Sequence, residues 1–344
     1  MNNIILICND TPENTLAITP SVSILKRNFP RVKISVASKY PWIFKDNPCV
    51  YKSLELNGAA KLYALLRQDD YDLAILTTPS FKYAAAVYLA KIPKRFMGES
   101  FYSRFLATTA VDIKNLPAQK ASLAFLNPLF IFLYPAGQEL FISKEDDAKA
   151  AAVLEESGLN KKDKIICLFT GGKEPNLNAD KEFYAKLIDR LSARREDIKF
   201  LLIAENKKDL HTINEIFWLT IKKPAIIREA LPPQLIAAVT ARAKGVIGGC
   251  SLGTYMAGAL NKKSIVLSPL KAEEFFTLPQ GCTVLKPRER ACQANCIKNC
   301  KAGCIKEISL ARALECFDKT FPPAKKQGIF NDEGTFSLFN SRND

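Results

Sequence analysis

The sequence predicts an α/β protein with two parallel-sheet domains facing each other across a cleft, and three observations carry that prediction. Short apolar runs of strand length alternate with segments of helical periodicity along most of the chain. Its 344 residues are more than a single core usually holds. The stretch Gly245 to Leu267, GVIGGCSLGTYMAGALNKKSIVL, reads as strand, glycine turn, helix, strand. In such a unit a helix N-terminus opens beside strand ends. Glycines let a ligand approach the backbone, and the unpaired N–H groups of a first helical turn suit a phosphate. A tightly packed turn with no ligand gives the same pattern, so both readings stand at this point.

The elements follow in order. Asn3 to Cys8 is a buried strand, Asn9 to Asn14 a polar turn, and Thr15 to Asn28 a helix through Leu16, Ile18, Val22 and Leu25. Val32 to Ala37 is the next strand, which makes a βαβ start. Helices at Gly58 to Arg67 and Phe81 to Leu89 alternate with strands at Leu73 to Thr78 and Arg95 to Met97. The pattern loosens between Tyr102 and Tyr134, and a linker is placed near Pro135 to Asp146. A helix at Asp147 to Ser157 opens a second alternating set. Its strands are Ile165 to Thr170, ending in Gly171-Gly172-Lys173; Phe200 to Ala204, ending at Glu205; and Ala225 to Ile227. Its helices are Glu182 to Leu191, Leu210 to Phe217 and Pro233 to Ala243. Ligands of such sheets bind outside the carboxyl ends of the strands.

The totals bound the partners. Composition is ordinary for a globular protein, 48% apolar and 24% charged, but the net charge is +14 and favours anionic partners. The basic residues are scattered, with no dense aromatic–basic motif, which argues against nucleic acid. An anionic membrane face fits better. The N-terminus lacks the basic region of a signal peptide, and Ser122 to Tyr134, SLAFLNPLFIFLY, is too short and too interrupted for a span. A cytoplasmic chain is expected, in peripheral contact with the inner face of the membrane through Lys91, Lys94, Arg95 and the run from Phe125 to Tyr134.

Three segments, in order, resemble glycosyltransferase family 9, the ADP-heptose:lipopolysaccharide heptosyltransferase family. NTLAITPSVSILKRNFP resembles the opening pattern of an apolar stretch, Pro, a Leu-Lys helix end and Phe-Pro. LPPQLIAAVTARAKGVIGGCSLGTYMAGALNKKSIVL resembles the donor-site block, and CQANCIKNCKAGCIKEIS the Cys-rich segment near the C-terminus. The resemblance covers almost the whole chain. It implies the GT-B architecture: an acceptor-binding Rossmann-like domain over residues 1–140, a nucleotide-sugar-binding one over 141–322, and a tail over 323–344. It also implies that the last helix, Leu310 to Phe317, crosses back to the first domain. The implied activity is inverting transfer of a sugar, in the first instance heptose, from a nucleotide donor such as ADP-heptose to lipopolysaccharide or another anionic glycan. No separate cofactor is implied.

Such transfer needs a base for the acceptor hydroxyl, and cations or N–H groups for the leaving diphosphate. The family's base position, six residues ahead of Pro20, holds Asn14, and an amide has no useful basicity. Glu13 or Asp10 on the same loop could substitute, or both could merely cap the following helix. In the donor block Cys250 stands at the family Asp, Ser251 at the Ser/Thr and Tyr255 at the His. Gly249, Ser251 and Gly253 keep the turn and the helix N-terminus. Lys173 is the cation placed to reach a phosphate, and Glu205 aligns with a Glu that contacts the nucleoside. His211, the only histidine, reads as a surface residue. These departures leave two readings, an active transferase with rewired groups or a degenerate copy that binds a nucleotide sugar or glycan without turnover.

Six of the ten cysteines are scattered and read as small buried hydrophobes. Cys292, Cys296, Cys300 and Cys304 repeat at intervals of four. On one helix they would form a ladder that cannot converge on an ion, whereas an irregular loop would admit zinc or an iron–sulfur cluster. No metal is the favoured reading, because the spacing lacks close Cys pairs.

Overall fold

The computed structural model describes residues 1–131, 137–171, 178–270, 278–279, 281–288 and 303–323. The first sheet contains β1 (Asn3–Cys8), β2 (Lys33–Ser38), β3 (Lys52–Glu55), β4 (Leu73–Leu76), β5 (Lys94–Gly98) and β6 (Thr109–Val111). Around it lie α1 (Pro12–Leu16), α2 (Thr19–Asn28), α3 (Ala59–Leu66), α4 (Phe81–Leu89), α5 (Ser103–Leu106) and α6 (Ala118–Ala124). Helix α7 (Lys144–Glu156) leads into the second set of strands, β7 (Lys164–Phe169), β8 (Ile198–Ile203), β9 (Ala225–Ile226), β10 (Gly245–Gly248), β11 (Lys263–Leu267) and β12 (Cys282–Leu285). Its helices are α8 (Lys181–Arg194), α9 (Asp209–Leu219), α10 (Pro233–Arg242), α11 (Leu252–Ala259) and α12 (Leu310–Thr320).

Every strand pair is parallel. The orders are β3-β2-β1-β4-β5-β6 and β12-β11-β10-β7-β8-β9. Taken in chain order within each half, both read 3-2-1-4-5-6, so the fold is two doubly wound sheets of one topology. This is the expected fold class. Strand order reverses between β1 and β4 in the first sheet and between β7 and β10 in the second. Loops leaving adjacent strands diverge at those points and open a crevice.

The central strands are apolar on both faces: Ile4, Ile5, Leu6 and Ile7 are buried, as are Ile166, Cys167, Leu168 and Phe169. One apolar cluster runs through both halves, joining Leu6, Leu16 and Phe44 to Phe125, Leu126 and Leu140 and on to Phe169, Tyr255 and Met256. Helix α1 packs on α11, and the Leu140 N–H donates to the Ala259 carbonyl at 3.1 Å.

Several expectations are corrected. The helix expected from Thr15 to Asn28 is two helices, and the first starts inside the expected polar turn, with Thr11 as N-cap and Pro12 behind it. The break at Ala17–Ile18 suits Pro20, which sits in the first turn of α2 without needing an N–H. Strands β3, β6 and β12 were not expected. Helix α7 begins within the expected linker, capped by Ser143, whose Oγ accepts from the Asp146 N–H at 2.9 Å. Helix α12 stays with the second sheet, against α8, β11 and β12, instead of crossing back. Phe125, Leu126 and Ile131 are core residues, so of the described part of the greasy run only Phe130 is a strongly exposed phenylalanine, at 91%. Arg95 is no free membrane cation either, since its guanidinium donates to the carbonyls of Leu106 at 2.7 Å and Ile92 at 2.6 Å.

Candidate functional site in the interdomain cleft

The first crevice is built from the loops that leave β1 and β4. Cys8 ends β1 fully buried, and Asp10 then folds back on its own loop. Its Oδ1 accepts from the Thr11 N–H at 2.7 Å and from the Asn14 amide at 3.0 Å. The residue at the expected base position is thus a donor tied to Asp10. Both line a cavity of about 180 Å³ together with Thr77, Thr78, Pro79 and Ile113. Glu13 lies apart from that pair. It is 9% exposed, and its charge raises the pKa of Glu205 and Tyr255 on the second domain and of Tyr40 on the first. The three neighbours expected to compete for one role therefore divide, with Asp10 and Asn14 at the first-domain cavity and Glu13 near the second domain's groups.

The second crevice lies where β7 and β10 end. Strand β10 runs into Gly249, Cys250 and Ser251, and Ser251 is the extended N-cap of α11. The Thr254 hydroxyl closes the turn. It accepts from the Ser251 N–H at 3.2 Å and lies within hydrogen-bond distance of the Gly249 and Ser251 carbonyls. A Cβ on Gly253 would sit 2.5 Å from the Phe169 ring, and one on Gly248 would sit 2.7 Å from the Phe169 carbonyl. Close packing of α11 on the end of β7 thus accounts for these two glycines without a ligand.

Glu205, leaving β8, completes this crevice. Its Oε1 accepts from the Gly253 N–H at 2.5 Å, so a side chain of the protein already holds a free N–H of the α11 first turn. Burial pushes the Glu205 carboxyl up to about 7. The Ser251 hydroxyl and the Gly253 N–H pull it down, while Asp209 and Glu13 add to the rise. Asp209 lies against Gly171, where a Cβ would meet its carboxylate at 2.4 Å, and burial raises its pKa too. Burial holds the Cys250 thiol at about 11, with the Ser268 hydroxyl opposing and Cys282 adding. It raises the Tyr255 phenol as well, so both groups are neutral at pH 7.

Lys173 lies outside the described residues, as do Cys292, Cys296 and Cys300. Cys304 is buried in a short 3-10 turn, and no group of three or more metal-ligating side chains occurs among the described residues. No helix among them is long and apolar enough to cross a membrane. His211 is 83% exposed, 3.7 Å from Glu215 and away from both crevices. Thr77, Thr78, Ile113 and Asp209 were not anticipated. Thr77 and Thr78 reach the site through the strand-order reversal at β4, Ile113 through the turn after edge strand β6, and Asp209 through the turn after β8, none of which carries a local motif.

The sequence matches no known family profile and no curated protein. The structure, however, is similar to a family 9 glycosyl transferase from Veillonella parvula, at a TM-score of 0.82 and 17% identity over 93% of this chain and 97% of that one. The E. coli ADP-heptose LPS heptosyltransferase II gives 0.74 at 17% identity, over 93% and 98% of the two chains. The E. coli heptosyltransferase WaaC with ADP gives 0.72 at 11%, over 92% and 99%. At these identities the likeness establishes the fold. The chain has the two-domain GT-B architecture of these transferases over nearly its whole length.

Proposed function

We propose that this protein is a family 9 glycosyltransferase, moving a sugar with inversion from a nucleoside diphosphate donor to an anionic surface glycan. Heptose, ADP and lipopolysaccharide are the first choices, because two neighbours of the same fold are heptosyltransferases and one was solved with ADP. The observation that carries the reading is the meeting of the two strand-order reversals, where α1 packs on α11. A buried carboxylate of one domain, Glu13, lies near the helix N-terminus Ser251–Gly253 and Glu205 of the other. An inverting displacement needs a base on the acceptor side and N–H donors on the leaving diphosphate side.

In this mechanism the donor diphosphate approaches Gly249, Cys250 and the first turn of α11, and Lys173, which follows β7 in the sequence, supplies the cation. Glu205 yields the Gly253 N–H and turns to the nucleoside. Tyr255 and the Cys250 thiol, both neutral, donate hydrogen bonds without adding negative charge. Glu13 takes the acceptor proton, and the Asp10–Asn14 pair positions the acceptor in the first-domain cavity. The working place is the inner face of the cytoplasmic membrane.

The test is calorimetric titration with ADP, GDP, UDP and their sugar conjugates, paired with a donor-hydrolysis assay. Micromolar binding with slow nucleotide release supports the transferase. Binding with no turnover to any acceptor or to water identifies a degenerate, ligand-holding copy, the reading favoured by Asn14 at the base position. No binding at all removes the proposal.

A further inference from the structure

The segment from Phe101 to Leu106 presents aromatic rings to solvent beside the acceptor side of the cleft. Phe101 is 81% exposed, Phe105 70%, and Phe81, at the start of α4, 62%. The rings are paired and do not merely dangle. Phe101 and Phe105 meet edge to face at 6.1 Å, and Phe81 meets Tyr102 at 5.7 Å. The backbone beneath them is fixed by a reciprocal box. The Ser103 hydroxyl lies within hydrogen-bond reach of the Ser100 carbonyl at 2.8 Å and accepts from the Ser100 N–H at 3.0 Å, while Ser100 Oγ accepts from the Ser103 N–H at 3.2 Å. Arg95 ties down the far end through Leu106. A segment braced at both ends cannot fold its phenyl rings into the core.

The patch borders a cavity of about 710 Å³ lined by Pro79, Glu99, Arg104, Asp112, Ile113 and Lys114. Pro79 and Ile113 also line the smaller cavity that holds Asp10 and Asn14, so the two spaces adjoin. Exposed Lys82 follows Phe81 in the chain, exposed Arg104 stands between Phe101 and Phe105, and exposed Lys114 lines the cavity. Together they outnumber the exposed Glu99 and Asp112 on the cavity rim, and the whole chain carries +14. Exposed aromatic rings among cations are the composition of a surface that inserts shallowly into an anionic lipid interface.

We propose that Phe101, Phe105 and Phe81 form an interfacial anchor for an anionic lipid bilayer, and that it holds the acceptor cavity at headgroup level. The inference deepens the transferase reading and rests on it for the role of the cavity. The patch itself is independent of turnover. Anchored this way, the protein would receive a lipid-linked acceptor without lifting it from the membrane.

The experiment is co-sedimentation of the full chain with phosphatidylglycerol–phosphatidylethanolamine vesicles and with phosphatidylcholine vesicles. The comparison set is the native chain, Phe101→Ser/Phe105→Ser, and Trp218→Ser/Ile221→Ser, which removes the other strongly exposed apolar pair on the second domain, 71% and 86% exposed. The expected result is binding to the anionic vesicles that weakens in high salt, falls about tenfold in the Phe double variant and is unchanged in the Trp218/Ile221 variant. Equal binding by the Phe variant overturns the proposal, as does transfer of the loss to the Trp218/Ile221 variant. A native chain that ignores anionic vesicles but forms a dimer that the Phe substitutions dissolve also overturns it, and assigns the patch to a second copy. Nucleotide titration of the same variants separates the two readings. Vesicle binding without donor binding sinks the transferase and leaves the anchor standing.

Discussion

Glu205 holds the Gly253 N–H with a carboxyl whose pKa is raised to about 7, and this gives a signed expectation. A carboxyl with a folded pKa above its unfolded value binds more protons in the native state. Its stabilisation is fully present below the unfolded value near 4.5 and is lost as pH rises through about 7. Glu205→Gln keeps an oxygen for the Gly253 N–H and removes the buried charge. At pH 8 it should therefore raise stability by about 3 kcal/mol, and at pH 5 by only about 1 kcal/mol, as read from urea midpoints at the two pH values. A variant that is less stable than the native chain at pH 8 would contradict this. Donor binding should suffer in the same variant, because the side chain is also the proposed nucleoside contact. Glu13 and Asp10 are separable in kinetics. Glu13→Gln should lower kcat by about 10²–10⁴-fold, whereas Asp10→Asn should act mainly on acceptor KM. The reverse pattern would move the base to Asp10. The sequence brought Glu205, Ser251 and Gly253 to one site because each follows the end of an apolar run. It did not show that Glu205 would cap the helix, since Phe169 and the β8 turn set that contact.

The end of the described C-terminal region shows how a single element is pinned. Arg195, 6% exposed, donates to the Phe321 carbonyl at 2.6 Å and to both oxygens of Asp197 at 2.9 and 3.3 Å. Phe321 lies in turn over Gly245, where a Cβ would meet its ring at 2.2 Å. Helix α12 is thereby fastened to β10 from below, and this accounts for its staying on the second sheet. Arg195→Ala strands the Phe321 carbonyl and releases Asp197, and should cost about 2–4 kcal/mol in a urea titration. Arg195 also holds the Asp197 carboxyl down at about 2. That contribution is whole above the unfolded value near 3.8 and fades as pH falls toward 2, so the variant should lose part of the native chain's stability slope in acid. An unchanged midpoint would show that α12 is held by its apolar face alone. Legibility at this scale followed burial. β1, β4, β7 and β8 are apolar runs and were found. β3 and β12 are only partly buried edge strands and β6 is three residues long, so none of them gave a run to read.

At the scale of the whole molecule, the same 3-2-1-4-5-6 order occurs twice, and alternation alone made two such sheets legible. What the sequence did not disclose is how closely they are joined. The shared apolar cluster passes from Leu6 and Leu16 through Phe125 and Leu140 to Tyr255 and Met256, so neither half closes its core without the other. Separating them would expose side chains that are 0–7% accessible in the intact chain, at about 25 cal/mol for each Å² of apolar surface. The two sheets should accordingly melt together. Scanning calorimetry of the full chain should give one transition whose calorimetric and van't Hoff enthalpies agree. If α11 holds a nucleotide donor as proposed, that donor should move the transition upward as one peak, because the coupled halves unfold and lose the site together. Two resolved peaks, with only the later one responding to nucleotide, would mean that the cluster is too weak to couple the sheets. The cleft would then be a hinge between independent domains, and Glu13 would approach Glu205 only on closure.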